Sequence, residues 1–419
     1  MRITAPLLLL PLLGAYPDKP ALAQSAPATA QTAKDITPTS VRWNRLVPTF
    51  VAEAAASRRA ARAAAAGDSA ALRRITQTPP PMLFSVYTLL SVAQYGAVNS
   101  ARDTRGVSSD AAVASASAAV LTDLFKDSTV RAAIARELAR DLDKTRSGSR
   151  GSQQASAGKR LGDDVARRVI AWAPTLNFAA PWNGTMPTGP GMWYSARGLP
   201  PLGITLKTGR TWLLDSAAQF RPAPPPAYGS PVFSAALDEV RKVARELTPE
   251  QFKIAQRWNS ADPWAMWNET ASAAIRRNRV PETQATRVLA VLNVAASDAI
   301  IACFEAKYHY WLIRPSQADS TLIVNDSIGL PNFPAYPSGH ACSAGAFDAV
   351  LGHFFPQERA EFTRIAEEQA MSRLYGLVHY RFDNDIGLAL GRTVGRHAVA
   401  RERSGLLNAW RNAPVATKP

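Results

Sequence analysis

Three short motifs in the last quarter of the chain constrain its fold more than any other feature, because their shared chemistry requires them to meet. They read Lys307-x6-Arg314-Pro315, Pro337-Ser338-Gly339-His340 and Ser372-Arg373-x5-His379-x3-Asp383, and they fix eleven residues in 77 positions. Any one of these residues alone has an ordinary structural reading. A lysine or arginine can sit on an exposed helix end, a serine can cap a helix and a histidine can be a satisfied core group. As an ordered set they share one purpose, which is to surround a tetrahedral oxyanion. Only a fold that brings the three segments to one point can use them.

Such an anion carries several negative oxygens, and a site for it must supply fixed cations and hydrogen-bond donors. Lys307, Arg314 and Arg373 provide three cations, two of them planar forks suited to paired contacts. Ser338 adds a hydroxyl. Gly339 lets backbone approach the ligand closely, and the apolar run from Ala341 to Phe355 predicts a helix whose first amides face the same anion. Two histidines remain for chemistry at the central atom: one imidazole to bond it, the other to move a proton. Asp383 follows His379 by four residues, within reach of its second ring nitrogen, so His379 reads as the nucleophile or ligand and His340 as the acid/base.

These motifs resemble those of the superfamily shared by vanadium-dependent haloperoxidases and type 2 phosphatidic acid phosphatases, including bacterial acid phosphatases. The resemblance implies that Lys307, Arg314, Ser338, Gly339 and Arg373 hold the equatorial oxygens. It also implies that His379 bonds vanadium or attacks phosphorus, and that His340 is the apical acid/base. The stretch from Pro331 to Ala341 is similar to the chloroperoxidase version, which places Phe333 in the halide pocket, and the segment Ser372 to Asp383 is closer to that branch than to a minimal phosphatase motif. Weaker likenesses to bacterial haloperoxidase-like proteins lie upstream, at Pro79-Pro80-Pro81, at Gln219 to Pro226 and at Asp238-Glu239-Val240. Against these, only 31 residues separate His340 from Ser372, a spacing ordinary for a phosphatase.

Two reactions fit this set. In one, vanadate held by His379 is the cofactor, and halide is oxidised with hydrogen peroxide. In the other, a phosphomonoester is hydrolysed through a phosphohistidine on His379, with His340 protonating the leaving alcohol and no cofactor beyond bound phosphate. A third, non-catalytic reading is a phosphate- or vanadate-binding protein, for which two histidines would be superfluous. The implied partners are small molecules: peroxide with halide and an organic acceptor, or a phosphomonoester.

The remaining sequence sets the frame. Arg2, the apolar run to Leu13 and the small-residue site Ala21-Leu22-Ala23 read as a signal peptide over 1–23, and 24–40 as a flexible lead-in, so an exported, periplasmic or secreted enzyme is expected. The net charge of +15 favours anions. Its arginines are spread along alanine-rich helices without the aromatic interleaving of a nucleic-acid surface, so no specific nucleic-acid partner is expected. The best later candidate for a membrane span, Val288 to Phe304, is interrupted by Asn293, Ser297 and Asp298, and no transmembrane segment is expected in the mature chain. Periodicity predicts an all-α fold, one bundle or two packed four-helix bundles, divided into a helical region over 41–230 and a site-bearing region over 231–412. Asp110 to Asp143 reads as continuous helix and Ser147 to Gly158 as a loop. The Pro-, Gly- and Trp-rich stretch from Ala173 to Ser230 reads as an irregular excursion over the bundle that can reach the active-site rim. Cys303 lies one helical turn before Lys307 and Cys342 two residues after His340, so both approach the site, as a disulfide or as two buried thiols.

Overall fold

The computed structural model describes residues 37–402 apart from 66–67, 69–81, 147, 173–181, 197 and 261, together with 405, 407, 410 and 411. The expected signal peptide, residues 24–36 of the lead-in, the Pro79-Pro80-Pro81 likeness and the first part of the excursion lie outside the described residues.

The protein is all-α: thirteen α-helices and two 3-10 turns, with no strand among the described residues. The N-terminal helices are α1 (Thr39–Ala64), α2 (Leu83–Arg102), α3 (Ser109–Leu124), α4 (Ser128–Thr145) and α5 (Gly148–Trp172). After the irregular segment come α6 (Pro231–Glu246), α7 (Pro249–Ser260), α8 (Pro263–Arg277), α9 (Glu282–Tyr310) and the single turn α10 (Pro315–Ala318). The chain closes with α11 (Gly339–Phe354), α12 (Arg359–Tyr375) and α13 (Arg381–Arg401). One continuous apolar core draws residues from α1 to α5, from α7 to α9 and from α11 to α13, so it runs across the 230/231 point.

Two local expectations fail for identifiable reasons. The run 110–143 is not one helix: the chain leaves helical geometry at Phe125, and the Asp127 carboxylate accepts from the amides of Thr129 and Val130 to start α4 afresh. Within the expected loop, residues 148–158 are helical. The small residues there belong to α5 because they let that helix lie against α3, and a Cβ on Gly158 would stand 2.5 Å from the Ser108 carbonyl oxygen.

The centre of the molecule is α9. It is long and apolar enough to cross a membrane by length and composition, yet all of its apolar window is buried among the other helices. A helix that is apolar all round needs such a surround. Two of its polar interruptions are satisfied: Asn293 pairs its amide with that of Asn268 at 2.9 Å in both directions, and Asp298 accepts from the amides of Trp212, Leu213 and Leu214 at 2.8, 2.7 and 3.2 Å. Asp298 thus pins the irregular segment to the core. Further along, that segment is tied to the end of α9 and to the 311–336 loop: Trp193 N donates to Trp311 O at 2.7 Å, Tyr308 Oη to Leu202 O at 2.5 Å and Tyr336 Oη to Ala223 O at 2.6 Å.

Close helix packing places the last motif. Gly387 and Gly391, one turn apart on α13, face α11, where added Cβ atoms would come within 2.8 Å of Ser338 O and 2.0 Å of Cys342 O. Only glycine permits that approach. It brings the start of α13 against the start of α11, where Ser338 N donates to Asp383 O at 2.9 Å.

Candidate active site

Each cage residue lies at a helix terminus, and local sequence explains why the chain turns there. Helix α9 ends at Trp311, whose backbone is left-handed (φ 53°) and whose amide caps Lys307 O at 2.9 Å. That conformation costs a bulky residue about 1–2 kcal/mol, and the Trp311 ring is held among those of Trp193, Trp182 and Tyr308 at 6.1, 6.2 and 5.0 Å. The reversal leaves Lys307 on the last turn of α9 and carries the chain on to Arg314 at the start of α10. Ser338 is the residue before α11, and Gly339 is its first. Arg373 lies near the end of α12. The left-handed turn at Leu377 (φ 58°) then brings His379 back to the site, and Asp383 is in the first turn of α13. A second, smaller core, built from α6 residues such as Phe233 and Leu237 together with Ile313, Tyr336, Leu374 and Tyr380, packs beneath these loops.

The structure brings the predicted residues together in one cluster. Lys307, Arg314, Ser338 and Asp383 have no exposed surface, Arg373 and His379 have 2%, and Gly339, His340 and Phe333 are partly exposed. The Nζ of Lys307 donates to the carbonyls of Pro334 and Ala335, each at 2.8 Å. Arg314 donates through Nε to Phe333 O at 3.0 Å and approaches His379 Nε2 at 3.3 Å. The Phe333 ring covers both cations, its centroid 5.0 Å from Lys307 Nζ and 5.1 Å from Arg314 Cζ.

Hydrogen bonding assigns the histidine tautomers. A guanidinium can only donate, so His379 Nε2 accepts and its proton sits on Nδ1, which donates to Asp383 Oδ2 at 2.9 Å. The Tyr380 amide donates to the same oxygen at 3.1 Å. The lone pair of His379 Nε2 therefore points toward the cations. His340 Nε2 lies 3.2 Å from Trp258 O, a carbonyl that can only accept, so this nitrogen carries the hydrogen and Nδ1 is the basic one in the neutral ring.

Burial and mutual repulsion tune the charges. Burial pushes Lys307 down to about 8, with Arg314 adding repulsion. Burial also lowers Arg314 to about 9 and Arg373 to about 10. Both histidines are held well below their ordinary range, first by burial and then by the neighbouring cations. Burial lifts Asp383 to about 7 against the pull of Lys307 and Arg314. Neutral imidazoles and a single carboxylate beside three cations describe a site short of negative charge.

Orphaned groups locate where that charge belongs. Ser338 Oγ and Arg373 Nε are buried without a hydrogen-bond partner, and a Cβ on Gly339 would meet nothing nearer than Ile300 Cδ1 at 4.0 Å. Three cations, a hydroxyl donor, helix-start amides and one imidazole lone pair fit a tetrahedral oxyanion with a single nitrogen ligand at its centre. Among the described residues, no group of three or more His, Cys, Asp and Glu side chains could hold a metal cation instead.

Three supporting residues escape the sequence reading. Asn259 accepts from Arg373 at 3.3 Å, Trp258 supplies the carbonyl that holds His340, and Gln369 donates to His340 O at 2.9 Å while accepting from Trp267 Nε1 at 2.6 Å. Only Gln369 carries a signal, since it lies one turn before Arg373 on the same helix. Of the remaining histidines, His309, His353 and His397 lie against Tyr310, Phe354 and Phe220.

Comparison with known proteins places the segment and the fold. Residues 287–403, which include every cage residue, match the PAP2 superfamily. Among solved structures, a bacterial vanadium-dependent iodoperoxidase aligns with a TM-score of 0.63 at 24% identity, covering 77% of this chain and 91% of that one. The apo and holo forms of a bacterial vanadium-dependent chloroperoxidase align with TM-scores of 0.61 and 0.58 at 13% and 12% identity, covering 78% and 79% of this chain and 95% and 93% of theirs. No curated protein sequence gives a significant match. The segment that carries the cage thus matches the PAP2 superfamily, and the chain is folded over most of its length like the vanadium-dependent haloperoxidases.

Proposed function

We propose that this protein is an exported enzyme that holds vanadate through His379 and uses hydrogen peroxide to oxidise a halide. The observation that carries the reading is the pairing of an imidazole lone pair at His379 with three buried cations, under a phenyl ring that covers two of them. The extent of the likeness supports it too. The fold match with the iodoperoxidase and chloroperoxidase structures runs through 77–79% of this chain, well beyond the superfamily segment 287–403.

Bound vanadate would supply a Lewis-acid centre at which peroxide becomes electrophilic enough for halide to attack. The chain's own groups do the rest. Lys307, Arg314 and Arg373 would hold and neutralise the anion's oxygens, helped by Ser338 Oγ and the Gly339 amide. Asp383 fixes the His379 tautomer so that Nε2 is always presented as the ligand. His340 takes a proton from incoming peroxide and returns it to the departing oxygen, its lowered basicity keeping it neutral and ready to accept. Phe333 excludes water from the two cations it covers.

Phosphomonoester hydrolysis is the second reading, favoured by the short spacing between His340 and Ser372. Here the same lone pair on His379 attacks phosphorus and His340 protonates the leaving alcohol. A paired assay on protein stripped of anions separates the two. Orthovanadate-dependent halogenation of a phenol with peroxide, lost in His379→Ala, supports the haloperoxidase. Hydrolysis of p-nitrophenyl phosphate that vanadate inhibits, with no halogenation, supports the phosphatase.

A further inference from the structure

The only two cysteines of the chain meet directly behind the cage. Cys303 lies on α9 one turn before Lys307, and Cys342 lies in the first turn of α11 two residues after His340. Neither has exposed surface, and both are free thiols. The two thiols lie beside each other, and Cys303 Sγ donates to Pro337 O at 3.6 Å. The Pro337 carbonyl belongs to the peptide unit that enters Ser338, so this sulfur supports the loop that presents the hydroxyl donor.

We propose that Cys303 and Cys342 are a peroxide-oxidisable dithiol whose disulfide form ties the lysine-bearing turn of α9 to the first turn of α11 and weakens anion binding. Burial raises both thiols. The neighbouring Cys342 and the Lys307 charge one turn away nevertheless bring Cys303 below its ordinary value, whereas Cys342 stays well above it. Cys303 is therefore the attacking sulfur. Its thiolate takes one oxygen of hydrogen peroxide to give a sulfenic acid and hydroxide. Cys342 then attacks that sulfur, expelling the transferred oxygen as hydroxide, which carries off the Cys342 proton as water. The sum is two thiols and one peroxide giving one disulfide and two waters. Peroxide is small, and Gly339 and His340 open the cage to solvent.

Closing the bond draws the sulfurs to about 2.05 Å and removes the Cys303 proton that Pro337 O accepted. Losing about one neutral hydrogen bond's support at the Ser338 loop corresponds to roughly a fivefold loss of phosphate affinity. The proposal concerns anion binding, so it holds for either reaction of the cage.

The test uses the full chain, reduced and then exposed to hydrogen peroxide, denatured, alkylated and digested for mass spectrometry. The expected result is a linked peptide joining Cys303 and Cys342, lighter by two hydrogens, with neither cysteine alkylated. In Cys342→Ser, Cys303 should instead proceed to sulfenic and sulfinic acid. Calorimetric titration with inorganic phosphate should show the affinity loss in oxidised wild type, its recovery with dithiothreitol, and no peroxide effect in Cys303→Ser. Thiols that stay alkylatable, or that oxidise separately in wild type, would overturn the dithiol. A linked peptide with unchanged phosphate affinity would overturn its control of the cage.

Discussion

Two buried polar centres lie nine residues apart on α9, and they are built to opposite rules. At Asp298 a fully buried carboxylate, raised to about 6 by burial, is met by three backbone amides, and the result is a clamp on the segment 212–214. At Lys307 the chain gathers three buried cations and leaves Ser338 Oγ and Arg373 Nε without partners. The clamp spends its polar groups on the fold. The cage spends Lys307 and Arg314 only in part, on the carbonyls of Pro334, Ala335 and Phe333, and leaves Ser338 Oγ and Arg373 Nε unspent, which costs stability in the empty protein and makes a ligand the missing partner. A buried polar centre is thus structural where backbone satisfies it throughout and functional where donors are left over.

The largest test of the contrast is on turnover. Replacing His379 by Ala removes the imidazole lone pair aimed among the cations, and turnover should fall by roughly 10⁴-fold while the unfolding midpoint in urea stays close to wild type. A loss of folding instead would make His379 part of the scaffold.

Next comes the clamp. Asp298→Ala strands three buried amides and should destabilise the protein by about 3 kcal/mol or more, read from urea unfolding, with turnover per folded molecule little changed. Loss of turnover without loss of stability would break the comparison.

The matching change in the cage has the reverse signature. Arg373→Met should weaken phosphate binding roughly 10- to 100-fold, as expected for a charged hydrogen-bonding group worth about 1.5–3 kcal/mol, yet leave the anion-free protein as stable as wild type or more so. Calorimetry and thermal unfolding on one preparation measure both quantities. A less stable apo protein would mean that Arg373 is already satisfied.

The smallest expected effect is on pH. Lys307 is depressed from 10.5 to about 8 by burial, so between those values the unfolded chain binds one more proton than the folded one. Raising the pH through that window should stabilise the anion-free protein. Phosphate binding should move the other way, strongest below pH 8 and weaker above as the ammonium discharges. Because a bound anion holds the proton on Lys307, the midpoint of that loss should rise with phosphate concentration. A flat profile would remove Lys307 from the anion's partners.

The cage was legible because chemistry there restricts residue type at every position. Lys307, Arg314, Ser338, Gly339, His340, Arg373, His379 and Asp383 form one cluster in space. The helices with Pro at or just before their first turn, α6, α7, α8 and α9, were equally readable, since proline is tolerated where the first amides lack intrahelical partners. What escaped were places where packing overrides local preference. Residues 148–158 resemble a linker in composition, but their small size is what α3 requires of its neighbour. The break at Phe125 is set by one aspartate cap inside a run that otherwise repeats like helix. Asn259 and the Trp258 carbonyl were out of reach for a different reason. A backbone oxygen has no sequence signature, and an isolated Asn becomes a partner of Arg373 only once α7 packs beside α12.

The most direct test of the anion cage is a crystal structure of the protein soaked with orthovanadate. The account predicts vanadium within bonding distance of His379 Nε2, its equatorial oxygens shared among Lys307, Arg314, Arg373, Ser338 Oγ and the Gly339 amide, and His340 at the apical side. Vanadium bonded to another residue, or a cage that stays empty at saturating orthovanadate, would contradict it.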